Sequence, residues 1–521
     1  MFSVRHRPQI LQQLQSNQFD LLIIGGGITG AGIALDAASR GLSVALVEKN
    51  DFAFGTSSRS TKLIHGGLRY LKQLEFGLVK EVGSERAVVH KLAPHLVIPE
   101  KMLLPLSEGK SMGYWLTSIG LKIYDWLAGV KADDRRKMLT RPQTLKAEPL
   151  LKKDGIKGGA LYAEYRTDDA RLTIEIMKTA ARHGATVLNY AKVDGFVYDS
   201  NGKITGVKVS DEVGGQEFSI AAKVVVNAAG PWVDEVRQAD HTISGKRLHL
   251  TKGVHIVVDR AALPIKQAIY FEVADGRMIF AIPRYTKTYI GTTDTNYKGS
   301  KDDVSATKED IQYLLDGVNQ NFEGINLHAA HVESSWAGLR PLIHEEGKSE
   351  SELSRKDEIF VWTSGLVSIA GGKLTGYRKM AERVVDMVIE ENFSDRELKP
   401  CTTHLISITE KSFKDYSEVK RYRETIFTKL KSYQLDSFTD YLVSNYGRQT
   451  DEILAQATQS EKITEHSLLE AELIFCLNSE MIVRSEDFLV RRTGLSYFNK
   501  TRAEKIQSTV SELLSAKLKV P

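Results

Sequence analysis

Cysteine is scarce in this chain, with 2 in 521 residues, and that shortage already excludes two classes of protein. Cys401 and Cys476 lie far apart and form no metal-ligand spacing. A disulfide framework and a cysteine-based metal site are therefore excluded, both thiols are expected to be reduced in an intracellular protein, and no metal is expected. Long apolar runs are missing as well, so no segment is clean enough to span a bilayer. Between Met1 and Asp20 the cations Arg5, His6 and Arg7 are followed by glutamines and not by an apolar stretch, so no secretory signal is expected there. Charge of one sign is not in excess either. Lys+Arg number 70 against 66 Asp+Glu, a net +4 that is too slight for a dedicated nucleic-acid binder. There is no internal repeat and no low-complexity tract. What remains is a globular composition, 42% hydrophobic and 26% charged, in a chain long enough for two or three domains.

The most informative segment is Leu21-Leu22-Ile23-Ile24-Gly25-Gly26-Gly27-Ile28-Thr29-Gly30. A short apolar strand meets a glycine turn, and the residues from Ala31 to Ala38 read as a helix. Gly25-x-Gly27-x-x-Gly30 is the dinucleotide spacing. The first glycine permits the tight turn, the second lets backbone approach a pyrophosphate, and the third lets helix and strand pack closely. The helix start offers free N–H groups and a positive dipole end. A second strand, Ser43 to Glu48, ends in an acid eighteen residues after Gly30, placed to bond a ribose hydroxyl. The pattern does not by itself separate FAD from NAD.

Beyond this βαβ unit, residues 60 to 150 read as helical with polar turns. A helix is expected over Arg171 to His183, a strand over Ala185 to Leu188, and a hairpin around Ser200-Asn201-Gly202-Lys203. A buried strand runs from Ala222 to Asn227 into small residues and the Gly230-Pro231-Trp232 turn. Alternating strands such as His255–Val258 and Tyr289–Gly291 suggest a second sheet, interleaved with the first. Ile359 to Val388 repeats the strand, glycine turn and helix order. From about residue 395, helical periodicity dominates. Met112 to Val130 has helical apolar spacing broken by Lys122 and Asp125. It reads as an amphipathic helix on the core, or as a helix resting on a membrane surface, with Lys131, Arg135, Arg136 and Lys137 beyond it.

Three constellations could carry chemistry. Thr56 to Tyr70 concentrates hydroxyls, cations, His65 and the Gly66-Gly67 pair directly after the second strand. Ser335 to Leu342 sets Arg340 in an apolar, proline-braced stretch, where a guanidinium needs an anion, either a substrate phosphate or a structural carboxylate. Ser368 to Arg378 puts Gly371-Gly372-Lys373 at a helix start, aiming N–H groups and a cation at whatever lies above.

Together these segments resemble the FAD-dependent glycerol-3-phosphate dehydrogenases. The most specific carriers are Ser60-Thr61-Lys62-Leu63-Ile64-His65-Gly66-Gly67-Leu68-Arg69-Tyr70-Leu71 and Gly371-Gly372-Lys373-Leu374-Thr375. Asn227 to Trp232, Ala337 to Leu342 and the tail segment Glu486 to Thr493 extend the likeness over nearly the whole chain. The resemblance implies an α/β fold. In it a Rossmann-like FAD-binding domain is interleaved with a β-sheet substrate domain (parts of about 70–160 and 245–335) within residues 1–395, and an all-α domain follows at 396–521. It implies non-covalent FAD, oxidation of sn-glycerol 3-phosphate to dihydroxyacetone phosphate, and electrons passed to membrane quinone by a bacterial-type enzyme lying peripherally on the cytoplasmic face of the cell membrane. A homodimer is left open, and nucleic acid is not a partner. An oxidase passing electrons to oxygen, an amine oxidase of the same fold, or a non-catalytic flavin-binding module are the alternatives.

The cofactor is expected to rest on Gly25, Gly27, Ile28, Thr29, Gly30, Glu48, Lys49, Thr56, Ser57, Ser60, Lys62, Leu63, Val193, Ala229, Gly230, Trp232, Gly372, Lys373, Leu374 and Thr375. A phosphate monoester carries roughly −1.5 to −2 charges near neutral pH, so several cations should converge on it. Arg69, Arg340, Arg355 and Lys373 are that expected set, with Tyr70 adding a hydroxyl. Arg340 is expected near both the substrate oxygen and the flavin N5. His65 is the candidate proton acceptor, and His255 is its rival. Lys373 is expected to stabilise the reduced flavin.

Overall fold

The run Gln18–Ile24 forms the strand its apolar character predicts, buried on both sides at its inner end. It lies parallel to Val44–Val47 on one edge and to Glu217–Asn227 on the other, with Leu21 opposite Val44 and Val224. Parallel strands covered on both faces read as continuous apolar runs, as Leu21–Ile24, Val44–Val47 and Val224–Val226 do. The computed structural model describes residues 2–65, 76–108, 136–241, 246–343, 357–458 and 462–518. Among them, this first sheet orders its strands Glu358–Val361, Val367–Ala370, Glu217–Asn227, Gln18–Ile24, Val44–Val47 and Thr186–Leu188, with the hairpin Ala191–Tyr198/Ile204–Asp211 attached. The hairpin turns where Asn201-Gly202 predicts, with Gly202 at φ +74° and the Asp199 N–H donating to Lys203 O at 2.8 Å.

The helix Ile28–Arg40 is built of small residues because it is crowded. Its Gly32 faces Tyr377 so closely that a Cβ would sit 2.9 Å from the ring. It stops at Gly41, whose left-handed φ of +104° lets its N–H close back onto Ala37 and Ala38. The helices Asp169–Arg182 and Tyr377–Asn392 pack beside it. Asp168 caps the former by accepting from the Arg171 N–H at 3.2 Å.

A second sheet is mainly antiparallel. Leu248–Asp259 pairs with Val332–Ile343 along its length, and Lys287–Gly291, Met278–Arg284 and Ala268–Glu272 continue the order to Ile98–Ser107 and Ile156–Arg166. This corrects the helical reading of residues 60 to 150. Leu63–Ile64, Ile98–Ser107 and Lys137–Thr140 are strands, although Phe76–Leu92 and Arg141–Ala147 are helices. The cause is tertiary pairing. Ile98–Ser107 is held by ten residues of register against Ile156–Arg166, and its prolines Pro99 and Pro105 lie outside the Met102–Leu103 stretch that pairs on both sides. Beyond residue 416 the described chain is helical, around a separate core that includes Val419, Ile426, Leu442, Tyr446, Leu473 and Phe488.

Candidate functional site

The glycine turn has the shape a dinucleotide diphosphate requires. Gly25 sits at φ +115°, and a Cβ there would lie 2.6 Å from Ala228 O. A Cβ at Gly30 would come within 1.9 Å of Gly25 O, so Gly30 is a packing residue and does not line the cavity. Gly27 starts the helix, and the Ile28 N–H donates to Ser57 Oγ at 2.9 Å. Glu48 accepts from the Gly26 N–H through Oε2 (2.7 Å) and from the Asn50 N–H through Oε1 (2.9 Å). Burial raises its pKa against the pull of those two donors. Each oxygen keeps acceptor capacity for a hydroxyl.

From this turn a cavity of about 1140 Å³ extends between the two sheets. Of the residues expected to hold the cofactor, all but Gly30 and Lys62 line it. Lys49 donates to Asp302 at 2.6 Å and lies 4.5 Å above the Trp232 ring. Thr56 Oγ1 donates to Leu339 O at 2.7 Å, tying the hydroxyl-rich loop to the second sheet. Lys62 corrects the expectation. Its ammonium is 2% exposed, paired with Asp169 and 3.7 Å from Asp168, because the antiparallel pair of Leu63–Ile64 with Ile156–Arg166 brings Lys62 beside the acids that begin the following helix.

At the third site Gly371 and Gly372 both take φ +78°, and a Cβ on Gly372 would sit 2.4 Å from Met380 Sδ. Lys373 then caps the turn Leu374–Gly376, which runs into the helix Tyr377–Asn392. Residues Gly371 to Thr375 all face the cavity, so this helix start points into it. Thr375 Oγ1 donates to His65 O at 3.3 Å, which joins two of the three constellations.

Arg340 stands opposite Thr251 in the second sheet. Its Nη1 donates to Thr293 O (3.2 Å) and Asp294 Oδ1 (3.1 Å), and its Nη2 to Thr292 Oγ1 (2.8 Å). A Cβ on Gly253 would come within 2.3 Å of Nη2. The guanidinium thus has a structural carboxylate, as one of the two sequence readings of Arg340 expects, and it also lines the cavity. His255 Nε2 lies 3.0 Å from Thr61 Oγ1, and its ring stacks on Trp336 at 4.8 Å and 11°. Burial, aided by Arg340 and Lys62, drives its pKa well below the ordinary value, so the imidazole is neutral. His65 sets its ring edge-on to Phe280 with centroids 6.2 Å apart. Both histidines line the cavity. Arg69, Tyr70, Arg355 and the amphipathic stretch Met112 to Val130 lie outside the described residues.

Sequence reasoning missed Gly253 and Thr292 to Asp294, which hold Arg340, and the apolar wall of Met102, Leu104, Tyr162, Tyr270 and Phe280. None carries a local pattern, and only strand register brings them in. It also passed over Arg59, which lines the cavity and sat inside a segment already singled out.

Residues 20–378 match the family described as FAD dependent oxidoreductase, and residues 419–520 match the C-terminal domain of alpha-glycerophosphate oxidase. The chain is 51% identical over 502 residues to the aerobic glycerol-3-phosphate dehydrogenase of Staphylococcus saprophyticus, spanning 95% of this chain and 90% of that one. It is 51% identical over 499 residues to the protein of the same name from Staphylococcus aureus, with the same coverage. Among solved structures it is similar to the glycerol-3-phosphate dehydrogenase from Bacillus halodurans complexed with FAD, with a TM-score of 0.84, 44% identity, and coverage of 99% and 94%. The L-alpha-glycerophosphate oxidase from Mycoplasma pneumoniae shares the fold, with a TM-score of 0.57 at 18% identity over 74% of this chain and 97% of that one.

Proposed function

The chain belongs to the FAD-dependent glycerol-3-phosphate dehydrogenases, and on that premise we propose that it oxidises sn-glycerol 3-phosphate to dihydroxyacetone phosphate and passes the electrons to membrane quinone at the cytoplasmic face of the membrane. FAD is its cofactor. When bound, FAD would supply the electron sink for oxidation of the secondary alcohol. The diphosphate is assigned to the turn Gly25–Gly30 and the helix start at Ile28, a ribose hydroxyl to Glu48, and the flavin end to Gly371–Thr375. The substrate is assigned to the wall formed by the second sheet, within an FAD-binding and substrate region spanning 1–395 and followed by a helical domain.

The observation that carries this reading is Arg340, held by Thr292, Thr293 and Asp294 on the wall of the cavity that the Gly371-Gly372-Lys373 helix start also lines. Arg340 and Lys373 neutralise the phosphate ester, and Arg69, Tyr70 and Arg355 complete the set. Bidentate donors fix the ester, which leaves the alcohol carbon oriented for transfer. The alcohol proton goes to the His65 imidazole. His255 is kept neutral by burial and by Arg340, and a base whose pKa is pushed so far down accepts a proton poorly at neutral pH. Its part is to hold Thr61 in place.

The acceptor is tested by reducing the holoenzyme anaerobically with glycerol 3-phosphate and then adding a soluble quinone or oxygen separately. Reoxidation by quinone at least ~10-fold faster than by air-saturated buffer supports the dehydrogenase. Faster reoxidation by oxygen with stoichiometric peroxide would make the chain an oxidase. Among the described residues no helix is long and apolar enough to cross a membrane.

A further inference from the structure

Buried guanidiniums in this protein are matched to carboxylates. Arg171 donates to Glu480 and Glu175, Arg492 to Asp51, Arg284 to Asp168, and Arg378 to Glu85. Arg59, half-buried on the cavity wall, has no such match. No carboxylate, carbonyl or hydroxyl among the described residues accepts from its guanidinium, which lies over the Phe54 ring with Cζ 4.9 Å from the centroid. The nearby Asp302 carboxylate is taken up by the Lys49 ammonium at 2.6 Å. The side chain is nevertheless fixed in place at its root. The Arg59 N–H donates to Thr56 O at 3.1 Å, and Gly338 is crowded against it, since a Cβ on Gly338 would lie 2.6 Å from Arg59 O and 2.9 Å from Arg59 Cβ.

Burial, reinforced by the positive charge of Arg491, holds the Arg59 pKa below the usual arginine value in spite of Tyr497, Asp303 and Asp302 acting at a distance. A partly desolvated cation with no carboxylate beside it keeps its attraction for an anion, and Arg59 borders a cavity of about 1140 Å³. Arg59 follows the Thr56-Ser57-Ser58 turn, whose Ser57 hydroxyl already meets the start of the helix Ile28–Arg40.

We propose that Arg59 is a phosphate-binding residue of this cavity, its counter-ion being a phosphate group that arrives with a ligand. Two ligands of the proposed reaction carry that chemistry: the diphosphate of FAD and the ester of the substrate. The proposal rests on the reading of the cavity as the site for both. A guanidinium suits either, because its planar fork matches two phosphate oxygens at once.

Arg59→Ala and Arg59→Lys in the full-chain holoenzyme separate the two sources. FAD affinity is read from the flavin fluorescence released on serial dilution. Phosphate affinity is read from the shift in flavin absorbance as inorganic phosphate is titrated into the oxidised holoenzyme. If the diphosphate is the partner, Arg59→Ala raises the Kd for FAD at least ~10-fold, Arg59→Lys raises it less, and the phosphate titration of FAD-saturated protein is unchanged. If the ester is the partner, the Kd for inorganic phosphate rises by that factor while FAD stays bound as in the parent. Changes under ~2-fold in both titrations overturn the proposal. If Arg59→Ala does not fold, Arg59→Gln is judged by the same two titrations. Failure of the underlying reading looks different, because the unmodified protein would then release FAD freely or show no phosphate-induced shift.

Discussion

At the scale of single residues the site works by holding charges where water is scarce. Arg340 pairs with Asp294 at 3.1 Å and lines the cavity, whereas Lys62 is spent on Asp168 and Asp169 away from it. Among the described residues, the buried histidines His95 and His255 behave alike. His255 is pressed by Gly291, where a Cβ would lie 2.1 Å from its ring, and it stays neutral. His95 is 1% exposed, its ring nitrogens have no hydrogen-bond partner, and burial, with Arg171 and Lys178 adding repulsion, lowers its pKa to about 3. A histidine depressed in the folded state stabilises the protein fully above its unfolded value of about 6.5. That stability is lost as pH falls towards 3, because the unfolded chain binds the extra proton first. Denaturant unfolding of the holoenzyme between pH 6 and pH 4 should therefore lose about 1.4 kcal/mol per pH unit from this residue. His95→Leu should flatten the slope by about one proton, and an unchanged slope would mean that His95 titrates normally.

At the scale of elements, what was legible in the sequence was local. The strand, glycine turn and helix around Gly25 to Gly30 are specified by adjacent residues, and they fold as read. Gly30 and Gly27 differ physically, however. A Cβ at Gly30 meets backbone, the Gly25 oxygen at 1.9 Å, while one at Gly27 meets a side-chain hydroxyl, Ser57 Oγ at 3.1 Å, which can rotate away. Gly30→Ala should then cost about 1–3 kcal/mol of stability by overpacking and lower the FAD content of the purified protein. Gly27→Ala should cost less. Thermal melts together with the flavin-to-protein absorbance ratio check both. What was illegible was long-range. Lys62 reads as a cofactor cation until the pairing of Leu63–Ile64 with Ile156–Arg166 delivers it to Asp169. Thr292, Thr293 and Asp294 have no motif, and reach Arg340 through the register of Leu248–Asp259 with Lys287–Gly291 and Val332–Ile343. Ile98–Ser107 carries two prolines, and became a strand through partners on both sides.

At the scale of the whole molecule the C-terminal helices are tied to the cofactor end of the first sheet by a buried ionic cluster. Asp51, three residues beyond Glu48, accepts from Arg491 Nε at 2.5 Å and from Arg492 Nη1 at 2.6 Å, and Asn189 bonds it from the sheet side at 3.1 Å. Burial would raise the Asp51 carboxyl, but Arg492 and Arg491 overcome it and hold it at about 2. Asp51→Asn leaves two buried arginines short of a counter-charge and should cost about 3–5 kcal/mol. Because Asp51 shares its loop with Glu48, FAD retention should fall with it, measurable as flavin released during the same melt. At the other end of the cavity, the proposed cations would select a phosphate ester over a neutral polyol. The most direct measurement is flavin bleaching in the anaerobic holoenzyme, comparing glycerol 3-phosphate with glycerol in the parent protein and in Arg340→Ala. The phosphate ester should bleach the parent rapidly, glycerol at equal concentration should not, and the substitution should lower the rate at least ~100-fold. Equal bleaching by glycerol, or a substituted protein as fast as the parent, would contradict that selection.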